Sequence, residues 1–301
     1  MFSIAKKVAK KVLPSPVYNL LKKTHNKIYF NYYKTLFGLP LKKIQDKITF
    51  TIRLVEHCNL NCAGCDNFSP LAEPEFLSIE EFRRDFERVG ELFNHECRLI
   101  KLSGGEALLR PDILDFVKIA RENFTKGTIE IYSNGILVPQ QDDNFWSTLQ
   151  KYKVGIGITD YPIKIDRDKI AAKAKEFNVN VHGMGDGRLK TSEFVKRPID
   201  LAGNGDIRKN FFRCYRAYAC AMLDHGRFYK CSFAPSIKHF NKFFNKNIPL
   251  KKDDYIDIYE VKSGEEILKR LAEPIPMCKY CDLDFQTIKW GVSERKISEW
   301  V

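Results

Sequence analysis

Short apolar segments rich in β-branched residues alternate with amphipathic segments from residue 48 to about residue 182. The apolar segments that we predict to be strands are Ile48–Val55, Arg98–Leu102, Thr128–Tyr132, Val154–Thr159 and Val179–His182. Helical patterns lie between them, from Ser78, near Pro111–Asn123 and over roughly Asp166–Phe177. The first of these helices opens with a capping box, Ser78-Ile79-Glu80-Glu81. Strands that alternate with helices predict repeated βαβ units and therefore an α/β fold with a parallel sheet.

The βαβ alternation is missing from both ends of the chain, which divides the sequence into three parts. Residues 1–47 carry apolar side chains at helical spacing, starting with Ile4, Val8 and Val12, and are interrupted by Pro14 and Pro16. Residues 206–301 contain clustered cysteines in place of the alternation. We therefore predict a helical N-terminal segment (1–47), a core α/β domain (48–205) and a small C-terminal domain (206–301).

Positive charge is concentrated in the N-terminal segment. The chain has 50 Lys and Arg against 38 Asp and Glu, and its net charge is +12. Residues 1–45 supply ten of these charges as lysines, with no Arg and no acidic residue. This pattern fits a basic amphipathic element on an anionic membrane, or a helical collar whose lysines face water. No nucleic-acid motif accompanies the lysines, so we expect no nucleic-acid partner.

Composition places the rest of the chain among ordinary globular proteins. Hydrophobic residues make up 44% and charged residues 29% of the sequence, which excludes a disordered chain. No window approaches eighteen uninterrupted apolar residues, and the N-terminus lacks the pattern of a secretory signal. We expect a cytoplasmic protein, with attachment to the inner face of the membrane if the lysine-rich segment binds it. In that compartment, nine cysteines indicate metal ligands or catalysts in place of disulfides.

Three cysteines directly follow the first predicted strand, with the spacing C-x3-C-x2-C: Cys58, Cys62 and Cys65. Three thiolates on one short loop suit a [4Fe–4S] cluster whose fourth iron has no protein ligand. A zinc site is the alternative, although a structural zinc ion prefers four protein ligands. The C-terminal ends of parallel strands are where α/β folds place their active sites, and the cysteine loop leaves such an end.

These cysteines and the segment Ser103-Gly104-Gly105-Glu106 resemble the signature motifs of the radical S-adenosylmethionine (SAM) superfamily. The cysteines match its C-x3-C-x2-C motif, and the segment after the second predicted strand matches its GGE motif. The resemblance implies a partial (β/α)6 barrel in which the methionine end of SAM binds the open iron. It also implies reductive cleavage of SAM to a 5′-deoxyadenosyl radical, with an external electron donor such as flavodoxin or ferredoxin.

Further residues at strand ends are candidates for binding SAM. Gly104 and Gly105 permit a close approach of the backbone to a ligand, and Glu106 offers a carboxylate to an ammonium group. By resemblance, Ser133 and Asn134 occupy the ribose-contacting position, and Thr159 closes the fourth strand. A plain turn and a strand-end cap are the alternatives for these residues.

One position departs from the superfamily pattern. Gly64 stands where many members have an aromatic residue near the adenine. The aromatic contact to adenine must then come from elsewhere, and Phe68 is a candidate.

A second group of cysteines lies in the C-terminal part: Cys214, Cys231, Cys278 and Cys281. Their arrangement, with Gly226 five residues before Cys231, resembles the twitch form of the SPASM auxiliary domain and implies a second [4Fe–4S] cluster. Four thiolates also suit structural zinc, which stays open at this point. Cys220 is either a buried apolar residue or a hydrogen-atom donor in an epimerase-type reaction, and we interpret Cys97 as structural.

The resemblance implies the oxidation of a sugar or cyclitol alcohol, because twitch-bearing relatives include aminocyclitol dehydrogenases. The pattern around Cys65-Asp66-Asn67-Phe68 also resembles radical SAM proteins of bacterial surface-polysaccharide clusters, which indicates polysaccharide biosynthesis and a carbohydrate-like substrate. Three alternatives stay open. They are sugar epimerisation, modification of a ribosomally made peptide, and a non-catalytic zinc protein that binds nucleic acid through residues 1–45.

Overall fold

The computed structural model describes residues 47–183, 193–214, 221–284 and 286–301. By its internal contacts the chain divides after Asp46, and Lys47–Val301 form one compact unit. The helices predicted in the N-terminal segment lie outside the described residues, as does Cys220. Among the described residues, no helix is both long enough and apolar enough to cross a membrane.

The core of the unit is a parallel sheet built from the five strands that the sequence predicts. The strands are β1 (Thr49–Arg53), β2 (Glu96–Ser103), β3 (Lys126–Ser133), β4 (Val154–Ile158) and β5 (Val181–His182). They lie side by side in the order β5-β4-β3-β2-β1, and every neighbouring pair is parallel. The predicted α/β fold class is therefore confirmed.

Helices connect consecutive strands, as right-handed βαβ crossovers require. They are α1 (Ile79–Leu92), α2 (Ile113–Asn123), α3 (Asp143–Tyr152) and α4 (Arg167–Glu176). The Ser78 hydroxyl caps α1 by accepting a hydrogen bond from Glu81 N, as the capping box predicts. Asp142 and Asp166 cap α3 and α4 in the same way.

The sheet continues beyond β1 with strands from the C-terminal part of the chain. These strands are β7 (Ala221–Asp224), β8 (Arg227–Tyr229) and β9 (Tyr255–Asp257), which complete the order β5-β4-β3-β2-β1-β7-β8-β9. Strand β7 is parallel to β1, with Ile52 opposite Leu223, whereas β8 and β9 are antiparallel additions. The sixth parallel strand thus lies beside β1, and the boundary predicted between residues 205 and 206 does not interrupt the sheet.

The remaining strands and helices of the described chain lie outside this sheet order. They are β6 (Glu193–Lys196), α5 (Ile207–Arg213), α6 (Phe233–Phe244), α7 (Gly264–Leu271) and β10 (Gln286–Lys289), and β6 pairs with β10 in a separate two-stranded sheet. Short 3-10 helices cover Ser69–Leu71, Ala107–Leu109, Val138–Gln140, Lys252–Asp254, Pro276–Tyr280 and Ile297–Glu299.

The two faces of the sheet differ in polarity because successive strand residues point to opposite sides. On one face, Phe50 packs against Phe86 of α1 and Phe124 after α2, in a continuous apolar core. The opposite face, here called the polar face, consists of Thr51, Arg53, Lys101, Glu130, Tyr132 and His182. The polar face is therefore suited to binding a polar molecule.

Candidate functional site

The three-cysteine loop leaves the C-terminal end of β1, as the sequence predicts. Cys62 is buried, while Cys58 and Cys65 are half-buried, and the Cys65 N–H donates to Cys62 O over 3.3 Å. Burial raises the pKa of the Cys62 thiol to about 12, and the neighbouring Cys65 and Cys58 thiols act in the same direction. Deprotonating all three thiols is therefore unfavourable without a nearby positive charge, and a metal cluster that binds them as thiolates would supply it.

The two glycines of the GGE segment lie against the main chain of the cysteine loop. A Cβ on Gly105 would be 2.0 Å from His57 O, and one on Gly104 would be 2.2 Å from Val55 O. Gly105 N donates to Val55 O over 2.7 Å, and Glu106 N donates to His57 O over 3.2 Å. Because the two glycines have no Cβ atoms, the main chain of the cysteine loop can pack directly against them. The sequence suggested instead that they allow a ligand to come close.

Glu106 is almost completely buried and joins the ends of β2 and β3. Its Oε1 accepts hydrogen bonds from Ser133 Oγ and Leu108 N at 2.8 and 3.1 Å, and its Oε2 accepts one from Asn134 N at 2.8 Å. Burial raises the pKa of Glu106 above its ordinary value, against the effect of these bonds. Because a carboxylate oxygen can accept two hydrogen bonds, Oε2 retains capacity for one more donor.

The residues predicted to contact ribose lie at the same C-terminal ends of the strands and form hydrogen bonds there. Ser133 and Asn134 are buried, and the Asn134 side chain donates to Asn59 Oδ1 over 2.7 Å and lies 3.7 Å from Cys58 Sγ. Thr159 is half-buried, and its N–H donates to Ser133 O over 3.0 Å. The structure therefore brings the cysteine loop, the GGE segment, Ser133, Asn134 and Thr159 to one edge of the sheet, at the C-terminal ends of four strands.

Two charged residues flank the entrance to the cysteine loop and attach it to α6. Glu56 is buried, and its carboxylate lies 2.9 Å from His239 Nε2 and 3.0 Å from Lys238 Nζ. Arg53 forms an ion pair with Glu56 and donates to Ser236 Oγ. These contacts hold the start of the loop against the C-terminal part of the chain.

The C-terminal residues pack directly on the cysteine loop, which the sequence did not indicate. Ala63 N donates to Gly291 O over 2.9 Å, and Ser293 N donates to Asn61 O over 2.7 Å. The Trp290 indole N–H donates to Cys62 Sγ over 3.2 Å. No local pattern marks this contact, because 228 residues separate Trp290 from Cys62.

The departure at Gly64 has a structural reason. A Cβ there would be 3.3 Å from Glu299 O and 3.7 Å from Ile288 Cδ1, and the residue has φ +67°. The C-terminal segment occupies the space beside Gly64.

The suggestion that Phe68 packs on adenine is wrong. Phe68 is 1% exposed and lies in an aromatic cluster with Phe233, Phe240 and Trp300, at centroid distances of 5.6 to 6.0 Å. The Trp300 indole also donates to Cys65 O over 3.0 Å. Phe68 therefore belongs to an apolar cluster with Phe240 and Trp300, separate from the core on the sheet.

The polar face presents a group of interacting side chains close to this edge. His182 Nε2 lies 3.1 Å from Glu130 Oε2, and Lys101 Nζ lies 4.6 Å from the centre of the Tyr132 ring. Between them on β4 is Gly157, where a Cβ would be 2.9 Å from the Tyr132 ring and 3.1 Å from the His182 ring. Alternating polar residues in Thr128–Tyr132 are the sequence signal that could have identified this face.

The four C-terminal cysteines line one cavity, together with Asn210, Lys230 and Met277. Cys214 follows α5, Cys231 follows β8, and Cys278 and Cys281 lie in and after a 3-10 helix. Asn210 Nδ2 donates to the carbonyl oxygens of Cys278 and Cys281 over 2.8 and 2.7 Å, which fixes that turn. The structure thus brings together the four cysteines that the sequence grouped.

An ion pair connects the two cysteine groups. Asp66, the residue after Cys65, lies 2.9 Å from Arg197 Nη1, and both residues line a second cavity that reaches Cys214, Cys231 and Cys281. The remaining described cysteine, Cys97, is 1% exposed and packs against β3, in agreement with a structural role.

The donor sets fit the groups that the sequence suggests. Three thiols at the C-terminal ends of the strands suit a [4Fe–4S] cluster in which one iron has no protein ligand. Four thiols around one cavity suit a fully ligated cluster or zinc. A model of the Radical SAM superfamily matches residues 52–162. Residues 52–162 form a radical SAM domain.

Curated proteins resemble part of this chain. A probable GTP 3′,8-cyclase of Thermoplasma volcanium is 34% identical over 104 residues, covering 35% of this chain and 29% of the relative. The sporulation killing factor maturation protein SkfB of Bacillus subtilis is 31% identical over 111 residues, covering 37% and 26%. Molybdenum cofactor biosynthesis protein 1 of Bos taurus is 38% identical over 167 residues, covering 53% and 23%. The chain thus spans less than a third of the length of these relatives.

Solved structures with similar folds include two proteins with bound AdoMet. BtrN in complex with AdoMet and 2-DOIA is 15% identical, with a TM-score of 0.48 over 78% of this chain and 92% of that chain. The anSMEcpe structure with AdoMet and the Cp18Cys peptide is 19% identical, with a TM-score of 0.36 over 45% and 42%. Because both scores lie below 0.5, neither alignment defines the substrate of this chain.

Proposed function

We propose that this protein is a radical SAM enzyme that oxidises a secondary alcohol of a carbohydrate-like substrate. The observation that carries the proposal is the position of the polar face beside the three-cysteine loop and the GGE segment of the radical SAM domain. A polyhydroxylated molecule needs hydrogen-bonding partners where it binds, and the polar face offers an ammonium, a carboxylate, a phenol and an imidazole.

The residues that would hold the cofactors lie along one edge of the sheet. Cys58, Cys62 and Cys65 would bind a [4Fe–4S] cluster, and the free lone pair of Glu106 would accept from the SAM ammonium group. When bound, the cluster and SAM would supply a 5′-deoxyadenosyl radical that takes a hydrogen atom from a substrate carbon. The Glu106 hydrogen bonds to Ser133 and Asn134 support this assignment, because they hold the carboxylate in one orientation.

His182 is the best candidate for the group that takes the hydroxyl proton. In the neutral ring, a proton on Nε2 would be donated to Glu130 Oε2, which leaves Nδ1 as an acceptor. The His182 side chain is 38% exposed, so a substrate can reach it. An alcohol that has lost a hydrogen atom from carbon becomes a ketone by losing this proton and one electron.

The four-cysteine cavity is the proposed destination of that electron. A second [4Fe–4S] cluster bound by Cys214, Cys231, Cys278 and Cys281 can accept one electron, whereas zinc in the same site cannot. The ion pair between Asp66 and Arg197 supports electronic communication, because it joins the loop of the first site to the wall of the second.

Two further assignments depend on parts outside the described residues. The lysine-rich segment 1–45 is proposed to place the enzyme on an anionic membrane surface, where a lipid-linked or nucleotide-linked sugar would be modified. Cys220 would matter only for epimerisation, where a hydrogen atom must be returned to the substrate carbon. The initial electron would come from a flavodoxin or ferredoxin.

The test is anaerobic reconstitution followed by turnover on candidate nucleotide sugars and cyclitols. We expect about eight irons per chain for two [4Fe–4S] clusters, formation of 5′-deoxyadenosine with a reductant, and a product that has lost two hydrogens. Cys62→Ala should abolish 5′-deoxyadenosine formation. Cys97→Ala is the matched control, because that buried cysteine packs against β3 and should leave both iron content and turnover unchanged.

The results separate the proposal from its alternatives. Zinc without iron would contradict the radical mechanism. About four irons per chain would show that the second cluster is absent. A product of unchanged mass and inverted stereochemistry would indicate epimerisation. A failure to form 5′-deoxyadenosine in fully reconstituted protein would refute the proposal as a whole.

A further inference from the structure

Lys230 is a buried cation in the wall of the four-cysteine cavity. The residue follows β8 and precedes Cys231, and it is 4% exposed. Among the described residues, no hydrogen-bond partner reaches its Nζ atom. Its Nζ atom lies over the face of the Phe211 ring, 4.6 Å from the ring centre.

A second buried lysine shows that this fold can satisfy an ammonium group. Lys196 is 8% exposed, and its Nζ donates to the carbonyl oxygens of Ser298 and Val301 over 2.6 and 2.7 Å. Lys230 has no such acceptors in the described chain, although a buried ammonium without a partner is costly. An anionic group bound in the cavity would supply such a partner.

The residues that line the cavity indicate that the partner of Lys230 is negatively charged. Lys230 shares the wall with four cysteines, whose thiolates give a ligated iron–sulfur core a net negative charge. Burial lowers the pKa of Lys230 to about 8, while the Cys278 and Cys231 sulfurs favour its charged form. A negatively charged cluster would supply the electrostatic partner that the described residues do not provide by hydrogen bonding.

We propose that Lys230 is the charge-compensating residue of the auxiliary cluster and raises its reduction potential, so that the cluster accepts the electron released in alcohol oxidation. This inference rests on the proposed function, because it assumes iron–sulfur and not zinc in the cavity. A fixed positive charge stabilises the reduced, more negative state of a cluster relative to the oxidised state. In a buried site this effect is weakly screened.

The electron balance of the step is complete. The substrate radical would lose its hydroxyl proton to His182 and one electron to a cluster held by the four cysteines, and a ketone would remain. Lys230 neither gains nor loses a proton in this step. Its ammonium lowers the free energy of the added negative charge.

The test measures the potential of the auxiliary cluster alone. The full-length chain with Cys58→Ala, Cys62→Ala and Cys65→Ala retains only the four-cysteine site, so its electron paramagnetic resonance signal reports that site. In this background, Lys230→Met keeps the length and apolar stem of the side chain and removes the charge. Lys230→Arg keeps the charge.

We expect the reduced-to-oxidised ratio at a fixed solution potential to fall about tenfold in Lys230→Met, which corresponds to 59 mV for one electron. Lys230→Arg should stay close to the parent. Lys279→Met is the matched control, because Lys279 lies between two of the cysteines but is half-exposed, and water screens its charge. Iron content should be equal in all four proteins.

Each other result counts against a specific part of the argument. An unchanged potential in Lys230→Met, with full iron content, would overturn the role of Lys230 and leave the proposed function intact. An equal drop in Lys279→Met would show that any nearby charge suffices and would also overturn it. Zinc or no metal in the protein with Cys58→Ala, Cys62→Ala and Cys65→Ala would refute the auxiliary cluster, and with it both the electron acceptor and this inference. If Lys230→Met loses its iron, Lys230→Arg decides the question. Because Arg keeps the positive charge, the proposal requires this variant to retain the cluster at the parent potential.

Discussion

The contact between Gly105 and the cysteine loop leads to a sharp prediction for Gly105→Ala. In the structure, a Cβ at this position would lie 2.0 Å from His57 O, 2.4 Å from His57 C and 2.9 Å from Cys58 N. All three are backbone atoms, so no side-chain rotation can relieve the overlap. An ordinary contact to a Cβ is 3.4 to 4 Å, and the loop would therefore have to move by more than 1 Å.

The cost of that movement can be estimated from what it breaks. Overpacking in a dense region costs about 1 to 3 kcal/mol. The movement also weakens the hydrogen bonds from Gly105 N to Val55 O and from Glu106 N to His57 O, at about 1 kcal/mol each. We expect Gly105→Ala to lower the free energy of unfolding by about 3 kcal/mol. With a urea dependence of about 3 kcal/mol per molar, the unfolding midpoint would fall by about 1 M.

The assay is urea unfolding followed by circular dichroism, with iron binding measured on the reconstituted protein. Gly291→Ala is the matched control, because this glycine also contacts the cysteine loop but no atom lies within 4 Å of its added Cβ. The control should change stability by less than about 0.5 kcal/mol. Equal midpoints for the two variants, together with undiminished iron at the three-cysteine site, would refute the argument that Gly105 is needed for the loop to approach.

Three further predictions concern a helix cap, the first cluster and the proton acceptor. Ser78→Ala removes the hydroxyl that caps α1 and should cost about 1 kcal/mol, seen as a drop in melting temperature of about 2 to 4 °C. Trp290→Phe removes the hydrogen bond to Cys62 Sγ and should lower the reduction potential of the three-cysteine cluster, measured by a redox titration; an unchanged potential would contradict that role. His182→Gln should still form 5′-deoxyadenosine but yield at least tenfold less oxidised product by mass spectrometry, and full product yield would exclude His182 as the acceptor.

The parallel strands were predictable because their composition is local. Each of the five segments is short and contains apolar and β-branched residues, and a buried parallel strand needs little else. Helix α3 was missed because its sequence, with Asn144, Ser147 and Thr148, has weak helix propensity. Tertiary packing decides it: Phe145, Trp146 and Leu149 are buried against the sheet.

The position of β7 shows a different limit. The hairpin at Gly226 was predictable, since a turn glycine lies between two short apolar segments. The pairing of β7 with β1 was not, because Ile52 and Leu223 come together only through the folded sheet. This pairing makes the C-terminal part an extension of the same sheet.

The cysteines are what the sequence by itself determined about the chemistry of this protein. Ligand spacing is local, so C-x3-C-x2-C and the GGE segment indicated the radical SAM domain, and the structure gathers the four C-terminal cysteines as their grouping suggested. The tertiary structure alone decided which side chains surround these sulfurs. Trp290 reaches Cys62, Glu130 meets His182, and Lys230 lines the cavity without a hydrogen-bond partner in the described chain. Such contacts depend on strand order and burial, and the periodicity of the sequence does not predict which distant residues meet.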